Sequence, residues 1–171
     1  MGARGDITPS VPVKIEPYIN QGYPDLFTDS FEVKALSPKR TFWEKVMLLC
    51  EEAYRDSTDK RRGKRNLSRH YYDLSCLIQS GIIDEAFSDL DLFGSVLNHR
   101  MLFFNCGRWM DYSVIKPGSL RLVPLPEHMA DWESDYTDMA DQMFYGTALT
   151  FSDVLAVISD FQDRFNSLAN N

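Results

Sequence analysis

The sequence predicts a mainly α-helical protein, a helical bundle with one or two short strands near its N-terminus. After residue 37, apolar residues recur three or four positions apart, which is the period of an amphipathic helix. Alternation of apolar and polar residues is instead confined to the region before residue 37. A chain of 171 residues with 44% hydrophobic content can build one core. We therefore expect 37–171 to form a helical domain and 1–36 to be a linker or the remnant of an upstream sheet.

The N-terminal region carries short β-like pieces and one helical turn. Residues 11–17, VPVKIEP, are expected to be the last edge of a sheet and a linker. Residues 17–27 favour a short helix interrupted by Gly22 and Pro24. Residues 31–36, FEVKAL, alternate and are the clearest strand candidate, and they lead directly into the first long helix.

The first long helix has two competing start signals. Ser37 is a good N-cap with Pro38 at the first helical position, while Thr41 and Glu44 have the spacing of a capping box. Lys45 falls at the edge of the apolar stripe that follows, so its stem rests on the core and its ammonium faces a surface or cleft. The stripe consists of Phe42, Val46, Leu49, Cys50 and Ala53.

A basic segment joins this helix to a second one. Residues 56–66, DSTDKRRGKRN, have no apolar side chain and predict a surface loop. Its cations at 60–65 form the strongest basic patch, which either meets a polyanion or is solvated or paired with the acidic C-terminal half. On the second helix Arg69, Asp73 and Cys76 share one face. Arg69 and Asp73 either act on a ligand or form an ordinary surface pair.

These two helices resemble the C-terminal motifs of the AbiEii/AbiGii-type nucleotidyltransferase toxins, the enzyme halves of bacterial toxin–antitoxin and phage-defence pairs. ALSPKRTFWEKVMLL contains the family's TF-x-EK pattern, and SRHYYDLSCLI contains its R-x-x-x-D pattern at Arg69 and Asp73. His70 stands where many relatives carry an acidic residue. The leading GARGD and the later DYTDMADQMF are also similar to the family.

The resemblance implies roles for Lys45, Arg69 and Asp73. Lys45 and Arg69 would bind the phosphates of an NTP, and Lys45 and Asp73 would be the catalytic pair. Arg65, from the basic patch, is a further candidate for binding the phosphates. Asp73 would orient Arg69, or Lys45 if the two helices are neighbours. The chain would then be the C-terminal part of a nucleotidyltransferase fold that transfers an NMP unit to tRNA, another RNA or a protein.

The resemblance also implies Mg²⁺ and NTP as cofactors of the complete enzyme, held by a Gly-Ser motif and a D-x-D pair on upstream strands. The D-x-D of this chain, Asp89-Leu90-Asp91, lies in a helical pattern without a Gly-Ser partner. We therefore expect nucleotidyl transfer only where those strands are present, and no metal bound by this chain alone. The sequence by itself does not decide whether this chain is an enzyme. The alternative is a non-catalytic module that binds an antitoxin or nucleic acid.

The C-terminal half predicts further helices. Residues 82–104 form two short helices or one bent at Gly94, and a small hairpin fits around 116–119. Residues 127–144 form a helix whose acids either face water or, with Asp89 and Asp91, make a metal site. A last helix is capped by Ser152 and closes the bundle.

The distribution of charge along the chain indicates which partners it can bind. The formal net charge is −7, yet Pro38–Arg69 carries ten Lys and Arg residues against five acids. A basic patch of this kind attracts polyphosphate locally on an acidic protein.

No run reaches the roughly 18 apolar residues of a membrane span and no signal peptide is seen, so we expect a cytoplasmic protein. The odd, widely spaced set of Cys50, Cys76 and Cys106 predicts reduced thiols with structural roles.

Overall fold

The computed structural model describes residues 5–26, 28–55, 66–104, 110–144 and 149–170, without the side chains of Asp141 and Gln142. The predicted basic patch with Arg65, and Cys106, lie outside these residues. Within them the mainly α-helical prediction is confirmed, with one two-stranded antiparallel sheet near the N-terminus. No helix in the described ranges is long and apolar enough to cross a membrane.

The two strands form a hairpin that contains the first helix in its connection. Strand β1 is Ser10–Ile15, helix α1 is Ile19–Gly22 and strand β2 is Phe31–Leu36, with Val13 opposite Val33. The residues predicted as a sheet edge therefore pair with the predicted strand. Since side chains alternate along a strand, one face of the hairpin is wholly apolar. Its members are Val11, Val13, Ile15, Phe31, Val33 and Ala35.

Within the described ranges, six longer helices follow the hairpin. Their bounds are Pro38–Ala53 (α2), Arg69–Gln79 (α3), Ile82–Phe87 (α4), Leu90–Phe103 (α5), Met129–Met143 (α6) and Phe151–Ser167 (α7). The alternative of two separate helices within 82–104 is confirmed. The break falls at Asp89, whose carboxylate accepts the Leu92 amide as an N-cap, and the predicted bend at Gly94 is wrong because this glycine lies inside α5.

The starts of α2 and α7 show which capping signals act. Helix α2 begins after Ser37 with Pro38 at its first position, and Glu44 pairs with Arg40 instead of capping. The prediction of Ser152 as the cap of α7 is wrong. Thr150 is the N-cap and accepts the Asp153 amide.

Residues 116–119 form a turn without the predicted hairpin, because the chain after the turn is held by α7. The Ser119 amide donates to the Lys116 carbonyl, and Gly118 takes the left-handed φ of +88° that favours glycine. Asn166 then binds both the amide and the carbonyl of Leu120 at 2.9 Å. In the described region, the flanking residues therefore find side-chain partners on α7 and do not pair as strands.

Aromatic side chains of α2 and α7 meet in the core. Trp43 and Phe42 of α2 are fully buried, and the Trp43 ring meets Phe165 of α7 edge-on at 5.7 Å between ring centroids. Glu51, farther along α2, is buried and makes a two-point contact of 2.7 and 2.5 Å with Arg100 of α5. This packing fixes the rotation of α2 and leaves the Lys45 edge turned toward α3.

Candidate active site

Lys45 meets two residues of α3. Its Nζ lies 2.5 Å from Asp73 Oδ2 and 2.9 Å from His70 Nδ1. The flanking Val46 is fully buried, whereas the Lys45 side chain is 21% exposed, so the stem is packed and the ammonium reaches a partly open site. Asp73 was predicted to orient either Arg69 or Lys45, and in the structure it contacts Lys45.

His70 is held neutral in this site. Burial first, and then the charges of Lys45 and Arg69, lower the pKa of its ring from 6.5 to about 4. At neutral pH the ring therefore carries no charge, and its Nδ1 accepts a hydrogen bond from the Lys45 ammonium. An acidic residue at position 70 would contribute a negative charge here, so His70 leaves more of the Lys45 charge uncompensated.

A groove of about 440 Å³ opens beside the Lys45 ammonium. An ammonium has three donor hydrogens, and Asp73 and His70 engage two of them. Within the described residues no other acceptor engages the ammonium, which leaves its third hydrogen for a ligand in the groove. The lining residues are Thr41, Lys45, Tyr72, Asp73, Cys76, Leu77 and Ser80.

Arg69 lies close to this site without lining the groove. It is the first residue of α3, is exposed, and forms neither an ion pair nor a hydrogen bond with any other described residue. The predicted surface pair with Asp73 does not form, because the Asp73 carboxylate binds Lys45. The charges of Lys45 and Arg69 both lower the pKa of His70, but only Lys45 contacts the ring among the described residues.

Asp135 of α6 fixes the start of α3. Its carboxylate accepts the amides of Asn66 and Ser68 at 2.6 and 2.8 Å and the Ser68 hydroxyl at 2.7 Å. One acid of the predicted water-facing set is therefore an anchor for the helix that carries Arg69. Sequence reasoning missed it because the partners lie 67 and 69 positions away and share no motif.

The groove has an aromatic wall and an accessible thiol. Tyr72 stacks on Phe144 with 3.9 Å between the ring centroids. Cys76, one helical turn beyond Tyr72, is exposed, and its charge and hydrogen bond raise the pKa of the Tyr72 hydroxyl. Cys76 therefore does not pack in the core as a small hydrophobic residue, whereas Cys50 is buried, and burial raises its pKa to about 12.

The carboxylates considered for a metal site do not converge. Asp89 caps α5 and pairs with Lys39 at 3.4 Å. Across the described ranges, no group of three or more His, Cys, Asp or Glu side chains is arranged to hold a metal ion. The donor set that Mg²⁺ prefers is thus not formed by these residues.

Comparison with known proteins identifies the family. The family model described as nucleotidyl transferase AbiEii toxin, type IV TA system, matches residues 1–165. No curated protein and no solved structure matches the chain. Because the family match spans nearly the whole chain, the resemblance seen in the TF-x-EK and R-x-x-x-D motifs is confirmed, and the chain belongs to the AbiEii nucleotidyl transferase toxin family.

Proposed function

We propose that the α2–α3 groove binds the phosphates of a nucleoside triphosphate for nucleotidyl transfer. Lys45 is the phosphate ligand, Asp73 and His70 position it, and Arg69 is a second cation at the groove's edge. The observation that carries the proposal is the Lys45 ammonium, held by two side chains with its third hydrogen available beside the groove. Arg65, which lies outside the described residues, is proposed as a further phosphate ligand because it belongs to the basic patch at 60–65.

The charges of the site allow a phosphate to replace Asp73 as the partner of Lys45. Lys45 and Asp73 cancel, His70 is neutral, and Arg69 adds one positive charge. Asp73 is 44% exposed, and an ion pair with so much water access contributes only about 0–1 kcal/mol. A phosphate with several charged acceptor oxygens can therefore replace or share the Asp73 contact at small cost.

The proposed reaction is transfer of an NMP unit to tRNA, another RNA or a protein acceptor. Mg²⁺, held outside the described residues, would neutralise the triphosphate and align the attacking hydroxyl with the leaving group. Lys45 and Arg69 would hold phosphate oxygens, and Asp73 would keep the Lys45 side chain extended toward them. The chain's own part is positioning and charge neutralisation, which is most of what protein side chains contribute to this chemistry.

The family's toxin–antitoxin system implies an antitoxin partner. The second candidate function is accordingly a non-catalytic module that binds the antitoxin or nucleic acid. Saturable binding of a single nucleotide separates the two functions, because a module that recognises a macromolecular partner has no need of a mononucleotide site.

The test replaces Lys45 with Ala and measures binding of a non-hydrolysable NTP analogue by calorimetry. A charge-assisted hydrogen bond contributes about 1.5–3 kcal/mol, so we expect affinity to fall by about tenfold or more. Lys34→Ala, which removes an exposed lysine of β2, is the matched control and should leave affinity unchanged. Equal affinity of Lys45→Ala and wild type would remove Lys45 from the site.

A further inference from the structure

The lining of the Lys45 groove divides into a charged end and an uncharged remainder. At the charged end, Lys45 and Asp73 meet at 2.5 Å. The other lining side chains supply an aromatic ring, a thiol, an aliphatic chain and two hydroxyls, and they belong to Tyr72, Cys76, Leu77, Thr41 and Ser80. A nucleotide divides in the same way, because its phosphates are charged whereas its base is an uncharged ring with a π-face. The lining therefore matches a whole nucleotide better than a phosphate alone.

The Tyr72 ring lies at the charged end of the groove. Tyr72 immediately precedes Asp73 on α3, whereas the other residues that line this side of the groove follow Asp73 along the chain. The Lys45 ammonium contacts Asp73, so the ring and the ammonium are close to each other on the groove wall. A nucleotide whose phosphate binds Lys45 can therefore place its base against the Tyr72 ring.

The Tyr72 ring is supported by a residue outside the groove. Phe144 stacks on it with 3.9 Å between the ring centroids and 27° between the planes, and Phe144 does not line the groove. Phe144 in turn contacts Tyr136, which is only 4% exposed and donates its hydroxyl to the Leu149 carbonyl at 2.9 Å. Phe144 thus covers one face of the Tyr72 ring, and no second ring in the described ranges covers the other face.

The Tyr72 hydroxyl stays protonated beside the phosphate position. The charge of Cys76, and a hydrogen bond between the two side chains, raise the pKa of this hydroxyl. At neutral pH the ring therefore carries no negative charge that would repel a phosphate. What Tyr72 offers a ligand is the face of a neutral aromatic ring, and bases stack on such faces.

We propose that Tyr72 is the stacking platform for the base of the nucleotide whose phosphates bind Lys45. The inference rests on the proposed function for the phosphate end and adds the residue that recognises the base. Stacking accepts every base, because each has a π-face, and its strength sets a modest preference. We expect purine nucleotides to bind more tightly than pyrimidine nucleotides, since the larger ring system overlaps the phenol ring more fully.

The test compares ligands with and without a base on the full chain by calorimetry. The ligands are non-hydrolysable analogues of ATP and CTP, and inorganic tripolyphosphate, which has the phosphates alone. Tyr72→Leu should weaken binding of the ATP analogue about tenfold, weaken the CTP analogue less, and leave tripolyphosphate unchanged. Tyr72→Phe keeps the ring and should retain the binding of all three. Tyr18→Leu removes a tyrosine that is 88% exposed and lies outside the groove, and it is the matched control.

A fluorescent base reports stacking directly. The triphosphate of 2-aminopurine riboside loses fluorescence when its base stacks on another ring, so wild type should quench it on saturation and Tyr72→Leu should not. A purely structural role of Tyr72 would instead weaken tripolyphosphate and the nucleotides equally. That result, wild-type nucleotide affinity in Tyr72→Leu, or saturation of wild type without quenching would overturn the inference. The last of these needs no variant to fold.

Lys45→Ala separates this inference from the proposed function. The variant should weaken tripolyphosphate as well as both nucleotide analogues, because it removes a phosphate ligand and not the platform. If Lys45→Ala binds all ligands as wild type does while Tyr72→Leu loses only the nucleotides, the platform stands and the proposed function fails. If Lys45→Ala loses all three while Tyr72→Leu loses none, the reverse holds.

Discussion

At the scale of single residues, the site depends on how Lys45 is held. An unpaired lysine on a helix surface samples many rotamers, whereas this one is fixed by Asp73 at 2.5 Å and by the neutral ring of His70 at 2.9 Å. Lys45 and Asp73 were predictable because the family pattern marks them. The role of His70 was not, since its neutrality arises from burial and from charges that only the fold brings together.

The state of His70 predicts a pH dependence of stability. Its pKa is 6.5 when unfolded and about 4 when folded, so between these values the unfolded chain binds more protons. Stability should therefore decrease as pH falls from 6.5 to about 4. His70→Gln removes this titrating group. The unfolding free energy of wild type should therefore decrease more than that of the variant as pH falls from 6.5 to about 4. Urea unfolding at pH 7.5 and 5 measures it.

A difference between the two proteins that is the same at both pH values would contradict the neutral, buried ring. So would a wild type that gains stability relative to the variant on acidification. Above pH 6.5 neither the folded nor the unfolded state takes up a proton at this position, and the pH 7.5 measurement provides the internal reference.

At the scale of elements, the sequence was informative where a signal is local. Ser37 and Pro38 set the start of α2, and the alternation of FEVKAL gave β2. The failures share one physical cause, a partner distant in sequence. The turn at 116–119 carries hairpin signals, yet Asn166 of α7 takes the backbone groups that a second strand would have used.

Asp135 gives an element-scale prediction about α3. Asp135→Asn replaces a charged acceptor of three hydrogen bonds, so the start of α3 should lose about 1–2 kcal/mol of stability, as for other lost caps. Thermal unfolding and hydrogen exchange of the Ser68 amide measure the loss. Asp138→Asn, an exposed acid of the same helix, is the matched control for charge. Equal destabilisation by both variants would show that net charge, and not the anchor, is responsible.

At the scale of the whole molecule, a buried arginine helps to join the N-terminal region to the helices. Arg40 is fully buried, donates through Nε to Glu44 at 3.0 Å, and donates through its guanidinium to Asp6 at 3.1 Å and to the Thr8 carbonyl. No sequence pattern indicates this contact, because arginine is rarely so buried. The predicted boundary between 1–36 and 37–171 stays a prediction.

Arg40→Met should loosen that attachment while leaving the helical core folded. We expect faster hydrogen exchange at the Ser37 amide, which donates to the Pro9 carbonyl, and unchanged exchange in α7. Arg164→Met removes a half-exposed arginine paired with Asp84 at 3.3 Å and serves as the control. Exchange at Ser37 that does not differ between the two variants would mean that the hairpin holds its place without Arg40.

Helix α2 forms ion pairs with three different neighbours at successive points along its length. Arg40 pairs with Asp6 of the N-terminal segment, Lys45 pairs with Asp73 of α3, and Glu51 pairs with Arg100 of α5. Helix α2 can therefore neither slide nor rotate without breaking a charged contact. A ligand that took Lys45 from Asp73 would therefore leave α2 held by Arg40 and Glu51, and would break the charged contact that Lys45 makes with α3.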